Sequence, residues 1–145
     1  MSRGFDRDTH NSIGYLLRDT ARRILSDLTA RLEPHGITLP QYYVLRELWQ
    51  EEGLTQREIA NRVGVLEPTM VSTIDALERL GMIERRRSTT DRRKTHVQLT
   101  PAGRKLRDTL HGYASAVLEH ALTGISDGDV AELRRLLQRV KANLA

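Results

Sequence analysis

Two helical segments, each too short to stand alone and each stopped by a glycine, fix what residues 54–81 can become. Thr55-Gln56-Arg57-Glu58 has the form of a capping box, in which the threonine hydroxyl and the glutamate carboxylate each satisfy an amide at the helix start. The helix it opens carries Ile59, Ala60 and Val63 and meets Gly64 within a dozen residues. A second helix starts almost at once, with Pro68 in its first turn and Val71, Ile74, Leu77 and Leu80 as its expected inward side, and Gly81 ends it. Two helices joined by a tight turn containing glycine are the sequence form of a helix-turn-helix.

The next segment is not helical. Residues 82–87 and 95–100 flank a polar connection, and in the second stretch Thr95, Val97 and Leu99 alternate with His96 and Gln98 as a half-buried strand does. His96 is expected to face solvent there. A helix-turn-helix followed by such a hairpin is a winged helix. The hairpin is also where the charge lies: Glu84–Lys94 (ERRRSTTDRRK) holds six basic residues against two acidic ones, an excess equal to the whole chain's formal net charge of +4. A local patch of this kind suits a polyanion bound at one place, although a solvated hairpin with incidental arginines has the same composition.

Longer helices flank this centre. Ile13, Leu17, Ala21, Ile24, Leu28 and Leu32 recur at three-to-four spacing before Pro34 and Gly36, and LPQYYVLRELWQEEG carries Leu45, Leu48 and Trp49 as its stripe. Thr100-Pro101 opens a long helix running to about Gly124, and Ser126 with Asp129 caps a last one bearing Val130, Leu133, Leu136, Leu137, Val140 and Leu144. The apolar faces of the first and last helices lack a partner in so small a domain. A second copy would bury them as an isologous two-fold dimer, and a monomeric helical bundle is the alternative. The expected fold is mainly α with a small β wing. It forms a single domain over 1–145, comprising a winged-helix DNA-binding lobe at 36–100 flanked by a helical dimerisation lobe from 1–35 plus 101–145.

Composition narrows the function classes. The 145 residues contain no cysteine, which removes disulfides, thiolate metal sites and thiol redox sensing together. No run reaches the ~18 apolar residues of a membrane span, and the opening MSRGFDRDTH lacks the apolar core of a secretory signal, so a cytoplasmic chain without a membrane partner is expected. None of the five histidines pairs with another at helical ligand spacing, so no metal is expected. There is no phosphate-cradling glycine loop or nucleophile elbow, so the chain is read as no enzyme.

If the second short helix enters a major groove, its outward face offers Glu67, Pro68, Thr69, Ser72, Thr73, Ala76 and Arg79. Thr69, Ser72, Thr73 and Arg79 are the expected contacts. On the hairpin, Arg86, Arg92, Arg93 and Lys94 are the cations in reach of phosphates or the minor groove, and Asp91 can pair with Arg93 and orient it, form the turn, or do both.

LTQREIANRVGV, the helix ending LERLGMIER, and DRRKTHVQLT followed by PAG closely resemble the MarR family of bacterial winged helix-turn-helix regulators. The likeness is strongest over Leu54–Thr100 and extends in pattern along the helical ends. It implies a homodimeric transcription regulator that binds a pseudo-palindromic DNA operator, with Arg93 as the minor-groove arginine held by Asp91. It departs from the pattern at Ser72 and Ala76, where relatives often carry a long basic side chain. A repressor released by a small aromatic or phenolic effector follows from the same likeness, with Tyr15, Arg22, Tyr43, Trp49 and His111 as candidate liners. Trp49 and Tyr43 can equally be plain core, and Arg22 a surface ion-pair partner. No bound cofactor is expected, and a constitutive architectural DNA-binding protein is the alternative function.

Overall fold

The computed structural model describes residues 2–145, and its elements follow the sequence punctuation. Helix α1 (Ile13–Leu32) runs into a 3-10 turn containing Pro34, and Gly36 in the left-handed region (φ 69°) turns the chain into α2 (Leu39–Gln50). Helix α2 opens with a second capping box, unforeseen from sequence: Thr38 Oγ1 accepts from the Gln41 amide at 3.3 Å, and Gln41 Oε1 accepts from the Thr38 amide at 3.0 Å. The expected box of α3 (Gln56–Val63) is present at Thr55 and Glu58, and Gly64 (φ 83°) closes that helix. Helix α4 (Glu67–Arg79) follows.

The inward side of α4 differs from expectation. Met70, Ile74 and Leu77 are buried, Val71 is half-buried and Leu80 is 45% exposed. Leu80 sits at the C-cap, where the chain leaves the helix, so Met70 fills the i−4 position beneath Ile74 instead.

Strands β1 (Leu54–Thr55), β2 (Ile83–Arg87) and β3 (Thr95–Leu99) form an antiparallel sheet in the order β1-β3-β2, with Ile83 opposite Leu99 and Leu54 opposite Val97. Val97 and Leu99 point into the core, as the alternation requires. His96 does not face open solvent: it is half-buried, and its Nδ1 lies 2.8 Å from the Gly53 carbonyl, joining β3 to the turn before β1. The core is continuous from Leu32 through Leu45, Leu48, Ile59 and Ile74 to Leu110.

Helix α5 (Pro101–Ala121) is seated on the base of the wing. Thr100 Oγ1 donates to the Gly81 carbonyl at 2.5 Å and accepts from the Gly103 amide at 3.1 Å. A Cβ at Gly103 would stand 2.1 Å from the Met82 carbonyl oxygen, so only glycine permits this approach. The Gly103 carbonyl in turn accepts from Trp49 Nε1 at 2.9 Å. Helix α6 (Asp127–Asn143) behaves differently, burying none of its residues within the chain.

Candidate nucleic-acid interface

Helix α4 and the wing are locked together by one side chain. Arg85, in β2, reaches back across α4: its Nη2 pairs with Asp75 and donates to the Val71 carbonyl at 3.4 Å, and its Nη1 meets Glu78 at 3.4 Å. Its Nε donates to Gln56 of α3 at 2.9 Å, and its backbone amide donates to Glu78 at 3.1 Å. One guanidinium therefore fixes the hairpin to both helices of the motif. Charge-assisted bonds of this kind contribute about 1.5–3 kcal/mol each when well shielded, and less here because the carboxylates are partly solvated.

Pairing shrinks the positive patch read from the sequence. Arg85 is matched by Asp75 and Glu78, and Arg86, one of the expected DNA contacts, pairs with Glu84 at 2.5 Å. Charge counting along the chain cannot detect such partners. Among the described residues, Arg87, Arg92, Arg93 and Lys94 are exposed cations outside any ion pair. Arg87 was not among the expected contacts, yet it ends β2 opposite Thr95 and joins this group.

The wing tip is built by its own side chains. Ser88 Oγ accepts from the Thr90 and Asp91 amides at 3.2 and 3.1 Å, and the Ser88 amide donates to the Lys94 carbonyl at 2.9 Å. Asp91 Oδ1 accepts from the Arg93 backbone amide at 3.0 Å. Of the two roles read for Asp91, this is the turn-forming one: the carboxylate holds Arg93's main chain, and the guanidinium stays free.

The outward face of α4 carries Thr69 and Ser72 exposed and Thr73 half-buried, with Arg79 exposed at its far end. Ser72 Oγ and Thr73 Oγ1 both donate to the Thr69 carbonyl, at 3.0 and 3.3 Å. The helix begins without a side-chain cap, because the N-cap residue is Leu66, 78% exposed. A hydroxyl or carboxamide there would contribute about 1 kcal/mol.

Behind this surface, two adjoining open grooves of about 430 and 480 Å³ lie between α2 and α5. Trp49 and His111 meet edge to face at 5.0 Å in the second, with Arg46, Gln50 and Arg107 around them. Arg46 also lies over the Tyr43 ring at 5.0 Å. Of the expected effector liners, Trp49 and His111 come together here and Tyr43 stands beside them through Arg46. Tyr15 and Arg22 do not: Tyr15 packs on His10 at 5.0 Å, and Arg22 pairs with Asp19 at 2.7 Å on α1. Neither lines the groove. Arg46 and Arg107 were missed, although both lie one turn from an aromatic liner, at Arg46–Trp49 and Arg107–His111.

The first groove contains Glu52, bound twice by Arg104 (2.9 and 3.3 Å) and by the Leu99 amide at 3.0 Å. The Arg104 guanidinium, with help from that amide, holds the Glu52 carboxyl below the usual carboxylate range. Among the described residues no group of three or more potential metal ligands comes together, and no helix is long and apolar enough to cross a membrane.

Known proteins share this fold. The model of the MarR family matches residues 37–95, the whole helix-turn-helix and wing tip. An HTH-type transcriptional regulator of Methylorubrum extorquens is 34% identical over 109 residues, covering 75% of this chain but only 53% of that protein's length. An HTH-type transcriptional repressor of Mycobacterium bovis is 29% identical across 88% of this chain and 92% of its own. The structure of CouR from Rhodococcus jostii RHA1, solved with p-coumaroyl-CoA bound, superposes with a TM-score of 0.83 at 28% identity, covering 93% and 95% of the two chains. With its winged helix, its seated long helix and these relatives, the chain belongs to the MarR family of transcriptional regulators, proteins that are not enzymes.

Proposed function

We propose that two copies of this chain pair through the exposed apolar faces of α1, α5 and α6 and bind a pseudo-palindromic operator in double-stranded DNA. Each copy lays α4 in the major groove and sets its wing tip in the adjoining minor groove. The observation that carries this reading is the position of the unmatched charge. Arg92, Arg93 and Lys94, with Arg87, stand free on a hairpin that Arg85 holds in fixed register with α4. Guanidinium groups at the end of a ribbon suit the narrow groove, where the negative potential is strongest. Pairing two such lobes sets the half-sites about one turn of B-DNA apart, ~34 Å.

The same reading makes the protein a repressor released by ligand. The named repressor among its relatives supports the first part. The Trp49–His111 groove, with Arg46 and Arg107 beside it, suits an anionic aromatic molecule, and CouR was solved with one. The groove lies between α5, part of the pairing face, and α2, part of the DNA-binding lobe. A ligand there that favours a different spacing of the two lobes shifts the population away from the DNA-competent form. Near-complete release needs a differential affinity of roughly 5 kcal/mol.

Salt titration of operator binding tests the DNA reading. Arg93→Ala should weaken binding and lower the salt slope by about one per subunit, since a phosphate-neutralising cation is lost. Arg85→Ala should reduce affinity and thermal stability with the slope unchanged, because its charge is already matched by Asp75 and Glu78. Unchanged affinity and slope for Arg93→Ala would take the wing tip off the DNA. An operator preference below ~10³ over random sequence would favour a constitutive architectural protein. Thermal shifts with a panel of aromatic carboxylates test the ligand: a binder specific to the folded form raises the midpoint, and no shift across the panel removes the groove's assigned role.

A further inference from the structure

Leu66 occupies a position for which, in the free protein, leucine is poorly suited on two counts. It is the N-cap of α4 yet offers no acceptor to the helix's first amides, and its side chain stands 78% exposed. Serine, threonine or aspartate would improve both. Nor is the position loose: the Gly64 and Val65 amides donate to the Ala60 carbonyl at 2.8 and 3.1 Å, and the Leu66 carbonyl accepts from the Met70 amide at 3.2 Å. The leucine is thus held rigidly at the end of the helix that enters the groove first. Resting on the DNA-binding function proposed above, we infer that Leu66 is a specificity residue that packs on a thymine C5-methyl group, so that α4 selects an A·T pair beneath its N-terminal end.

Major-groove chemistry leaves one apolar target, the thymine methyl. The neighbouring residues are compatible with that target. Ser72 and Thr73 direct their hydroxyl hydrogens to the Thr69 carbonyl, so outward they present lone pairs. A lone pair matches an exocyclic amino group, adenine N6 or cytosine N4, so these residues accept from either base and the leucine's methyl contact makes the choice. Glu67, exposed in the first turn, also only accepts. Guanine, which shows two acceptors, needs a cation or paired donors. On the outward face of α4 the only one is Arg79, 13 residues from Leu66 and so ~20 Å along the axis.

The test uses the intact protein and an operator selected from random duplex DNA, compared with the same operator carrying deoxyuridine for thymidine in the major-groove positions. That exchange removes the methyl and leaves every hydrogen bond. Wild-type binding should fall about fourfold for each methyl buried, and about 15-fold when one is lost from each half-site. Leu66→Ser restores a helix cap, so its Tm should equal or exceed the wild type's, and it should bind the two duplexes equally. Equal binding of both duplexes by the wild type, no thymine selected beneath the start of α4, or retained discrimination by Leu66→Ser would each overturn the inference while leaving the DNA-binding function intact. Failure to select any sequence would overturn both.

Discussion

Ile59, Ile74 and Val97 in the winged-helix lobe are sealed from solvent, whereas Leu133, Leu136 and Leu137 on α6 are 41–45% exposed. The N-terminal half of α1 resembles α6, with Ile13, Leu16 and Leu17 at 41–50%, and only its last turns, at Leu28 and Leu32, are buried. The helices of both regions show the same three-to-four apolar spacing in sequence. The difference is that the central lobe contains its own partners, α3 against α4 and the sheet against both, while among the described residues α5 covers the α1 face only in part and the α6 face is left open. Periodicity reports that a face will be buried and is silent on which molecule buries it.

The sharpest way to break this contrast is to charge the terminal face. Leu133→Glu with Leu137→Glu should convert a dimer to single chains by light scattering. A buried leucine contributes about 1.5–3 kcal/mol, and the two-fold axis counts each substitution twice, for roughly 6 kcal/mol or more. A variant that remains dimeric would mean that these faces are covered in some other way.

A second test moves to the junction of the two regions. Gly103→Ala forces a Cβ against the Met82 carbonyl and should cost about 3 kcal/mol in denaturant unfolding. Gly112→Ala, on the same helix with no atom near its would-be Cβ, should instead raise stability by about 0.5–1 kcal/mol. Equal effects from the two would show that α5 is not pressed onto the wing base.

The smallest expected effect is a pH dependence at the Glu52–Arg104 pair. The folded state lowers the Glu52 carboxyl, so the stabilisation is full above the unfolded value of ~4.3 and is lost as pH falls through the folded one. Tm curves of the wild type and Glu52→Gln should therefore differ near neutrality and converge in acid. The gap should be below about 1 kcal/mol, because the pair is partly solvated. A gap that persists at low pH would mean the residue acts through packing and not charge.

How much was legible follows the range of each interaction. Capping boxes, left-handed glycines and strand alternation are signals within a few residues, and they placed the helix-turn-helix, the wing and the start of α5. The Thr38–Gln41 box had the same short-range signal and was overlooked. What stayed hidden was pairing across distance. Arg85 reads as one more cation in a basic run until Asp75 and Glu78, on another element, are brought against it. Gly103 reads as a poor residue for a first helical turn until the Met82 carbonyl arrives. Arg22 and Trp49 both suit an aromatic anion by type, but only Trp49 lines the groove, while Arg22 pairs with Asp19.

Helix α5 carries a further implication. Its first turn is fastened to the winged-helix lobe through Thr100, Gly103 and Arg104, while Leu118 near its other end is exposed. Inserting or deleting a single residue between these points would rotate one end about 100° relative to the other. Side chains along the solvent stripe are thus free to vary in evolution, but the number of residues in this helix is constrained by phase. The least disruptive change of length is a step of seven, which nearly restores the angle and moves the lobe by ~10.5 Å.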